Sequence, residues 1–171
     1  PTFSVGGYTG FSFDITDALK TGDNVVAVRV NNNWDAQLAP RAGEHVFSGG
    51  IYRNVRFVVT GPVHVAWYGT FVTTPQVSKE AATVNVKTEV VNESAMAKSV
   101  TLETSVVDAK GKVVARMEST QSIPPGATNI FDQTSKAIAN PRLWSPEHPN
   151  LYSVKTLVLE GRKPVDDYLS P

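Results

Sequence analysis

The sequence predicts an all-β chain, and three observations carry the prediction. Short runs alternate apolar and polar residues with a period of two, clusters of Gly, Pro, Asp and Asn separate those runs, and nowhere does strand alternate with amphipathic helix over a long stretch. Two sandwich units are expected, meeting near Gly61-Pro62.

The first unit, residues 1–61, is read from sparse signals. Phe11 and Phe13 mark a short strand, Val26, Val28 and Val30 make one apolar face, and Val55, Phe57 and Val59 make another. Between them Thr16 can cap a single helical turn through Leu19, ended by Gly22, so this piece is a connector rather than a helix layer. Three or four strands are thin for a free-standing sandwich. They would leave a sheet edge and an apolar face uncovered, so missing upstream strands or a partner are expected to complete the unit.

The second unit, residues 62–162, is denser. A strand over 63–73 is followed by one over 83–91, in which Val84, Val86, Thr88 and Val90 face away from Thr83, Asn85, Lys87 and Glu89. In the next, Val100, Leu102, Thr104 and Val106 form the inner row, and Asp108-Ala109-Lys110-Gly111 then turns into Val113, Ala115 and Met117. Pro124-Pro125-Gly126 leads into a strand over 127–131, and the last strand, over 151–159, sets Tyr152, Val154, Thr156 and Val158 on one face. Six or seven short strands in this span are the count of an immunoglobulin-like sandwich, here without the central disulfide because the chain has no cysteine. Residues 163–171 read as a polar tail.

Composition narrows the function classes. The 171 residues are 41% hydrophobic, enough to fill a core, and sixteen basic side chains balance sixteen acidic ones. No broad positive field exists to hold nucleic acid or an anionic membrane surface. No apolar stretch approaches the roughly 18 residues of a membrane-spanning helix. The chain opens on Pro1 without a signal peptide, so it is expected to be an excised or processed piece. No glycine-rich phosphate loop, serine elbow between glycines or paired-histidine helix is present, and three scattered histidines give no metal spacing. No cofactor is therefore expected.

Two motifs carry a resemblance. The run Ser48-Gly49-Gly50-Ile51-Tyr52-Arg53-Asn54-Val55, arriving after Gly6-Gly7-Tyr8-Thr9-Gly10-Phe11 and Asn24-Val25-Val26-Ala27-Val28-Arg29-Val30, resembles the closing part of the N-terminal sugar-binding-type sandwich of glycoside hydrolase family two. The run Asn140-Pro141-Arg142-Leu143-Trp144-Ser145-Pro146-Glu147-His148-Pro149-Asn150-Leu151-Tyr152 is similar to the signature with which that family's immunoglobulin-like domain enters its final strand. In the second run three prolines fix an extended path, and Trp144, Leu151 and Tyr152 are expected to pin it against a sheet. The resemblance covers essentially the whole chain and is most like the β-galactosidase branch. It implies a partial jelly-roll sandwich followed by an immunoglobulin-like one, with a catalytic barrel of about 250 residues beyond.

A retaining mechanism is also implied, with one Glu as acid and base and another as nucleophile roughly 5 to 5.5 Å apart. Both belong to the barrel, so no catalytic residue is assigned to this chain. The nearest carboxylate couples, Asp14 with Asp17 and Asp166 with Asp167, read as a turn cap and a polar tail.

Substrate contacts are sought in the first unit. Glu44 stands where the β-galactosidase group offers an acidic loop residue at the galactose pocket, although that group uses Asp and the neighbours here differ. A carboxylate there can accept paired hydrogen bonds from vicinal hydroxyls, while a plain solvated loop acid is the structural alternative. His45 can donate to a hydroxyl or simply pack, and Phe47 is weaker still. Trp34 and Asn33, in Asn31-Asn32-Asn33-Trp34-Asp35, suit ring stacking and hydroxyl readout or, equally, a turn with a buried anchor. Trp67 is assigned to the core, and Arg53 to a buried or interdomain ion pair.

The expectation is thus a non-catalytic accessory portion of a β-galactosidase-like hydrolase, partnered by its own barrel and, in the intact enzyme, by a β-galactoside-type carbohydrate. A stand-alone carbohydrate-binding module and a spacer without ligand are the alternatives. Self-association stays open, and the compartment is open too, with periplasm or secretion favoured over cytoplasm.

Overall fold

The computed structural model describes residues 4–6, 9–33, 35, 37 and 49–170, and the chain divides into two compact units, Pro1–Phe57 and Val58–Pro171.

Every strand among the described residues lies in the second unit: β1 (Val63–Val77), β2 (Ala81–Asn92), β3 (Lys98–Asp108), β4 (Val113–Ile123), β5 (Ala127–Thr134), β6 (Ile138–Ala139), β7 (Tyr152–Glu160) and β8 (Lys163–Ser170). One antiparallel sheet runs β1-β2-β5 with β6 added to β2, and the other runs β4-β3-β7-β8. That two-sheet order is immunoglobulin-like. The inner rows are those the alternation marks: Val84, Val86, Thr88 and Val90 on β2, Val100, Leu102, Thr104 and Val106 on β3, and Val154, Thr156 and Val158 on β7 are all buried.

Two apolar clusters fill the space between the sheets. One gathers Val63, Val65, Val90, Val100, Leu102, Ile123, Phe131 and Val158, the other Val84, Val86, Val106, Met117, Ile138 and Val154. Burying a Phe, Leu or Ile side chain contributes about 1.5 to 3 kcal/mol, so Phe131, Leu102 and Ile123 weigh most. A polar belt separates the clusters. Thr88 lies opposite Thr70 on β1, and Thr104 opposite Thr156 on β7, and the hydroxyls of all four are buried without a hydrogen-bond partner among the described residues. Beside them the Gln133 amide donates to the Leu102 carbonyl at 3.0 Å and to Ser119 Oγ at 2.8 Å.

Side chains fix the turns. Asn92, fully buried at the end of β2, donates through Nδ2 to the carbonyls of Met96, Ile123 and Pro124, and its Oδ1 accepts from the amide and hydroxyl of Ser94. One carboxamide therefore staples the β2–β3 connection to the β4–β5 turn. At the β3–β4 hairpin, Asp108 Oδ1 accepts the amides of Lys110 and Lys112, both at 2.9 Å.

The segment after residue 162, expected as a tail, is instead β8. It pairs with β7 through a two-residue turn in which Gly161, at φ +63°, comes first, the residue order of a type II′ hairpin. Pro164 masks this strand in the sequence, yet β8 is a sheet edge and the register shifts beside Pro164, so the missing amide breaks no central ladder.

In the first unit the described residues carry no strand. Phe11 and Phe13, the Val26 row and the Val55 row, expected as strands, have no ladder partner among the described residues, and Val25 is 93% exposed. Alternation makes a segment fit to be a strand, but a strand exists only through a neighbour that takes its amides and carbonyls. The one regular element is a 3₁₀ turn, Thr16–Ala18. Thr16 lies inside it and caps nothing. The N-cap position is Ile15, without a side-chain cap bond, and just ahead of it Asp14 Oδ1 accepts the Thr16 amide at 2.9 Å. Asn24 then closes the following loop on Lys20, accepting its amide and donating to its carbonyl.

Candidate functional site

Of the residues expected to meet a sugar, Glu44, His45 and Trp34 lie outside the described residues, as does Phe47. Asn33 is described and exposed, and its amide donates to Asn31 Oδ1 at 3.0 Å. Two residues on, Asp35 Oδ1 accepts the Gln37 amide at 2.8 Å. Both are short turns of the kind Asn and Asp side chains build by holding the backbone two residues ahead. The side chains that build these turns are those of Asn31 and Asp35, while Asn33 contributes only its backbone amide.

The fold does bring together two motifs that are distant in sequence. Asn32 sits against Gly49, so close that a β-carbon at Gly49 would lie 2.9 Å from Asn32 Nδ2. Glycine at the start of Gly49-Gly50-Ile51 thus lets the asparagine turn approach. The Asn32 and Asn33 carboxamides offer neutral donors and acceptors suited to hydroxyls, without an acid or base for bond cleavage.

Neither carboxylate couple forms a reactive pair. Asp14 serves the 3₁₀ turn, and its bond from the Thr16 backbone, followed by that from the Thr16 side chain, holds its carboxyl below the usual value of 3.8. Asp166 and Asp167 are neighbours on β8, where successive side chains point to opposite faces. Asp166 Oδ2 accepts the Val65 amide at 2.8 Å, tying β8 to β1. Among the described residues no group of three or more His, Asp or Glu is placed to hold a metal ion. No helix among them is long and apolar enough to cross a membrane.

Three assignments change. Arg53, expected in a buried or interdomain ion pair, is exposed and forms no ion pair among the described residues. Trp67, expected in the core, is 49% exposed. The β1–β2 register breaks between Val65 and Thr70, and the intervening bulge throws Trp67 and Tyr68 outward as an edge-to-face pair with centroids 5.0 Å apart. Tyr68 sits there at φ +55°, and a β-carbon on Gly69 would fall 2.8 Å from the Ala66 carbonyl oxygen. Only glycine fits that crossing.

The third change concerns the 140–151 loop. Trp144 and Leu151, expected to pin it against a sheet, are 60% and 66% exposed, and Tyr152 alone is half-buried. Other bonds hold the loop. Ser145 and His148 exchange backbone hydrogen bonds at 3.0 and 3.1 Å, Trp144 bridges to Pro149, Asn150 Nδ2 donates to the Leu143 carbonyl at 2.9 Å, and the Arg142 amide donates to the Tyr152 hydroxyl at 2.9 Å. With backbone and turn side chains supplying the hold, the large apolar groups are left facing out. Sequence shows that such groups are present but not which way a loop turns them.

Comparison with known proteins bears on this geometry. The sequence pattern of the family described as Glycosyl hydrolases family 2 matches residues 63–170. The chain is 39% identical over 167 residues to the beta-galactosidase BoGH2A of Bacteroides ovatus, covering 96% of this chain and 19% of that protein. It is 35% identical over 181 residues to a beta-glucuronidase of Formosa agariphila, covering 96% and 18%. The crystal structure of a Bacteroides uniformis beta-glucuronidase superposes with a TM-score of 0.76 at 28% identity, over 82% of this chain and 17% of that one. The chain thus spans about a fifth of the length of the relatives it matches. Those relatives include both β-galactosidases and β-glucuronidases, so the similarity is to glycosidases in general rather than to one branch.

Proposed function

The chain belongs to the glycosyl hydrolases family 2, and from that premise we propose that it is a non-catalytic accessory portion of a retaining β-glycosidase, β-galactosidase-like in substrate. The observation that carries the reading is coverage: nearly the whole chain aligns, yet to only 19% of a β-galactosidase. On this reading the acid/base and nucleophile glutamates lie in the remainder of the polypeptide, which the sandwich braces. The first unit supplies one wall of the sugar cleft, with Glu44, His45, Trp34 and Asn33 facing substrate hydroxyls and ring.

A neutral galactoside fits this wall better than a glucuronide. The carboxylate of Glu44 would repel the acidic substrate, and the carboxamide of Asn33 carries no charge to attract it. The test compares nitrophenyl β-galactoside, β-mannoside and β-glucuronide with the 171-residue chain and with the longer polypeptide that carries it. Expected is no turnover by the chain alone and preferential galactoside hydrolysis by the longer form, with Glu44→Ala raising KM more than it lowers kcat. Turnover by the chain alone, or a glucuronide preference in the longer form, defeats the respective part. Calorimetric heat on titrating the chain alone with a galactoside would favour a stand-alone binding module.

A further inference from the structure

Resting on that accessory reading, we propose that the loop over 140–151, which also exposes Leu143 and Leu151, is the docking element of the sandwich, and that its Trp144 inserts into the remainder of the same polypeptide. Leu143, Trp144 and Leu151 are the large apolar side chains this loop exposes. Apolar groups in a slack loop would fold inward or move. Here the loop is locked by its own bonds: the Ser145–His148 backbone pair, the Trp144–Pro149 bridge, Asn150 to Leu143, and Arg142 to Tyr152. Pro141, Pro146 and Pro149 restrict it further. An exposed tryptophan on a prefixed scaffold loses little conformational freedom on binding, which is how aromatic anchors come to dominate protein interfaces.

The chemistry favours protein over sugar. The two short polar side chains of the turn are taken up within the loop, the Asn150 amide by the Leu143 and His148 carbonyls and Ser145 Oγ by the His148 amide, which leaves the hydroxyl readout of a sugar platform to the exposed polar side chains of Arg142, Glu147 and His148. The large hydrophobic side chains the loop exposes are Leu143, Trp144 and Leu151.

Position supplies the occupant. Register places Val154, near the start of β7, opposite Ser170, the last residue of β8. The loop that ends where β7 begins therefore stands at the end of the sheet where β8 finishes. Leu169, exposed on β8, lies at the same end, opposite Lys155. A polypeptide running on from β8 would leave at the end of the sheet where this loop stands, and about four fifths of the length of the relatives lies outside the matched region.

The test is oxidative footprinting of Trp144, read by mass spectrometry, in the 171-residue chain and in the longer polypeptide. Trp144 should oxidise freely in the chain alone and be shielded in the longer form. Trp144→Ala should leave the melting of the chain alone unchanged, and in the longer form should shift the docked-to-undocked ratio by about 30-fold, seen as a separate unfolding transition of the sandwich. Footprinting uses the unaltered protein, so it decides even where the variant fails to fold. Equal oxidation in both forms overturns the proposal. So does shielding of the chain alone that grows with its concentration, which would make a second copy the occupant, or galactoside heat abolished by Trp144→Ala, which would make it a sugar site. A longer form that cleaves galactoside while Trp144 stays fully reactive sinks this inference and leaves the accessory reading standing. A longer form that shields Trp144 yet cleaves no glycoside does the reverse.

Discussion

The Val26-Ala27-Val28-Arg29-Val30 segment and the Val84-Asn85-Val86 stretch of β2 carry the same alternation, and they have opposite fates. Val86 is fully buried between two sheets, while Val26 is 74% exposed with no strand beside it among the described residues. Local sequence is not the difference. β2 has β1 on one side and β5 on the other, and its inner row meets the facing sheet, so both its hydrogen bonds and its side chains are completed. Hydrophobic patterning marks a surface fit to be covered, and only long-range pairing covers it.

The sharpest way to break this contrast is to truncate one large side chain on each side. Phe131→Ala removes the largest fully buried side chain of the sandwich and should lower its unfolding free energy by about 3 to 5 kcal/mol in a denaturant titration. Val28→Ala in the first unit should change it by no more than about 0.5 kcal/mol. A comparable loss from Val28→Ala would mean that the first unit has a packed core after all. Next in size is Asn92→Ala. It frees three carbonyls and the Ser94 groups near the buried end of the sandwich, and about 2 to 3 kcal/mol should be lost.

How much was legible follows the same division. The inner rows of β2, β3 and β7 could be read directly because each alternates cleanly and lies within a sheet that buries one face. β8 was not legible, since Pro164 and adjacent aspartates look like solvated tail, and only the fold shows that Asp166 holds the Val65 amide. Trp67 and Trp144 misled for another reason. Their apolar character signals burial somewhere, but a bulge at Gly69 and a self-bonded loop turn them outward, and neither device has a one-dimensional signature. For the sugar-facing candidates, the motif suggested Glu44 and Asn33, while the approach of Asn32 to Gly49 is a long-range contact that spacing cannot reveal.

The belt of threonines gives a gain rather than a loss. The Thr156 hydroxyl is buried without a partner among the described residues, so Thr156→Val, nearly the same shape, removes an unsatisfied polar group and should stabilise the sandwich by about 1 kcal/mol. Destabilisation would mean that the hydroxyl is satisfied and that the two apolar clusters are joined through it.

The smallest effect separates the units by acid. In the sandwich, Asp108 is held below 3.8 first by the Lys112 amide, and Asp132 first by the Asn85 side chain, with Lys87 adding charge at 3.5 Å. A carboxyl whose folded value is depressed contributes stability above its unfolded value, and that contribution is lost as pH falls below it. Sandwich stability should therefore be flat above about pH 5 and should decline on acidification through the region of 3.8, because the unfolded chain binds protons there before the folded one does. Asp108→Asn and Asp132→Asn should each flatten that decline in unfolding curves recorded across the range. Asp14 is depressed as well, yet it serves a turn in the first unit, whose described residues carry no strand, so Asp14→Asn should leave the decline of the sandwich as it was. If Asp14→Asn flattens the curve as much as Asp108→Asn does, the two units unfold as one, and the contrast between the closed sandwich and the first unit no longer holds.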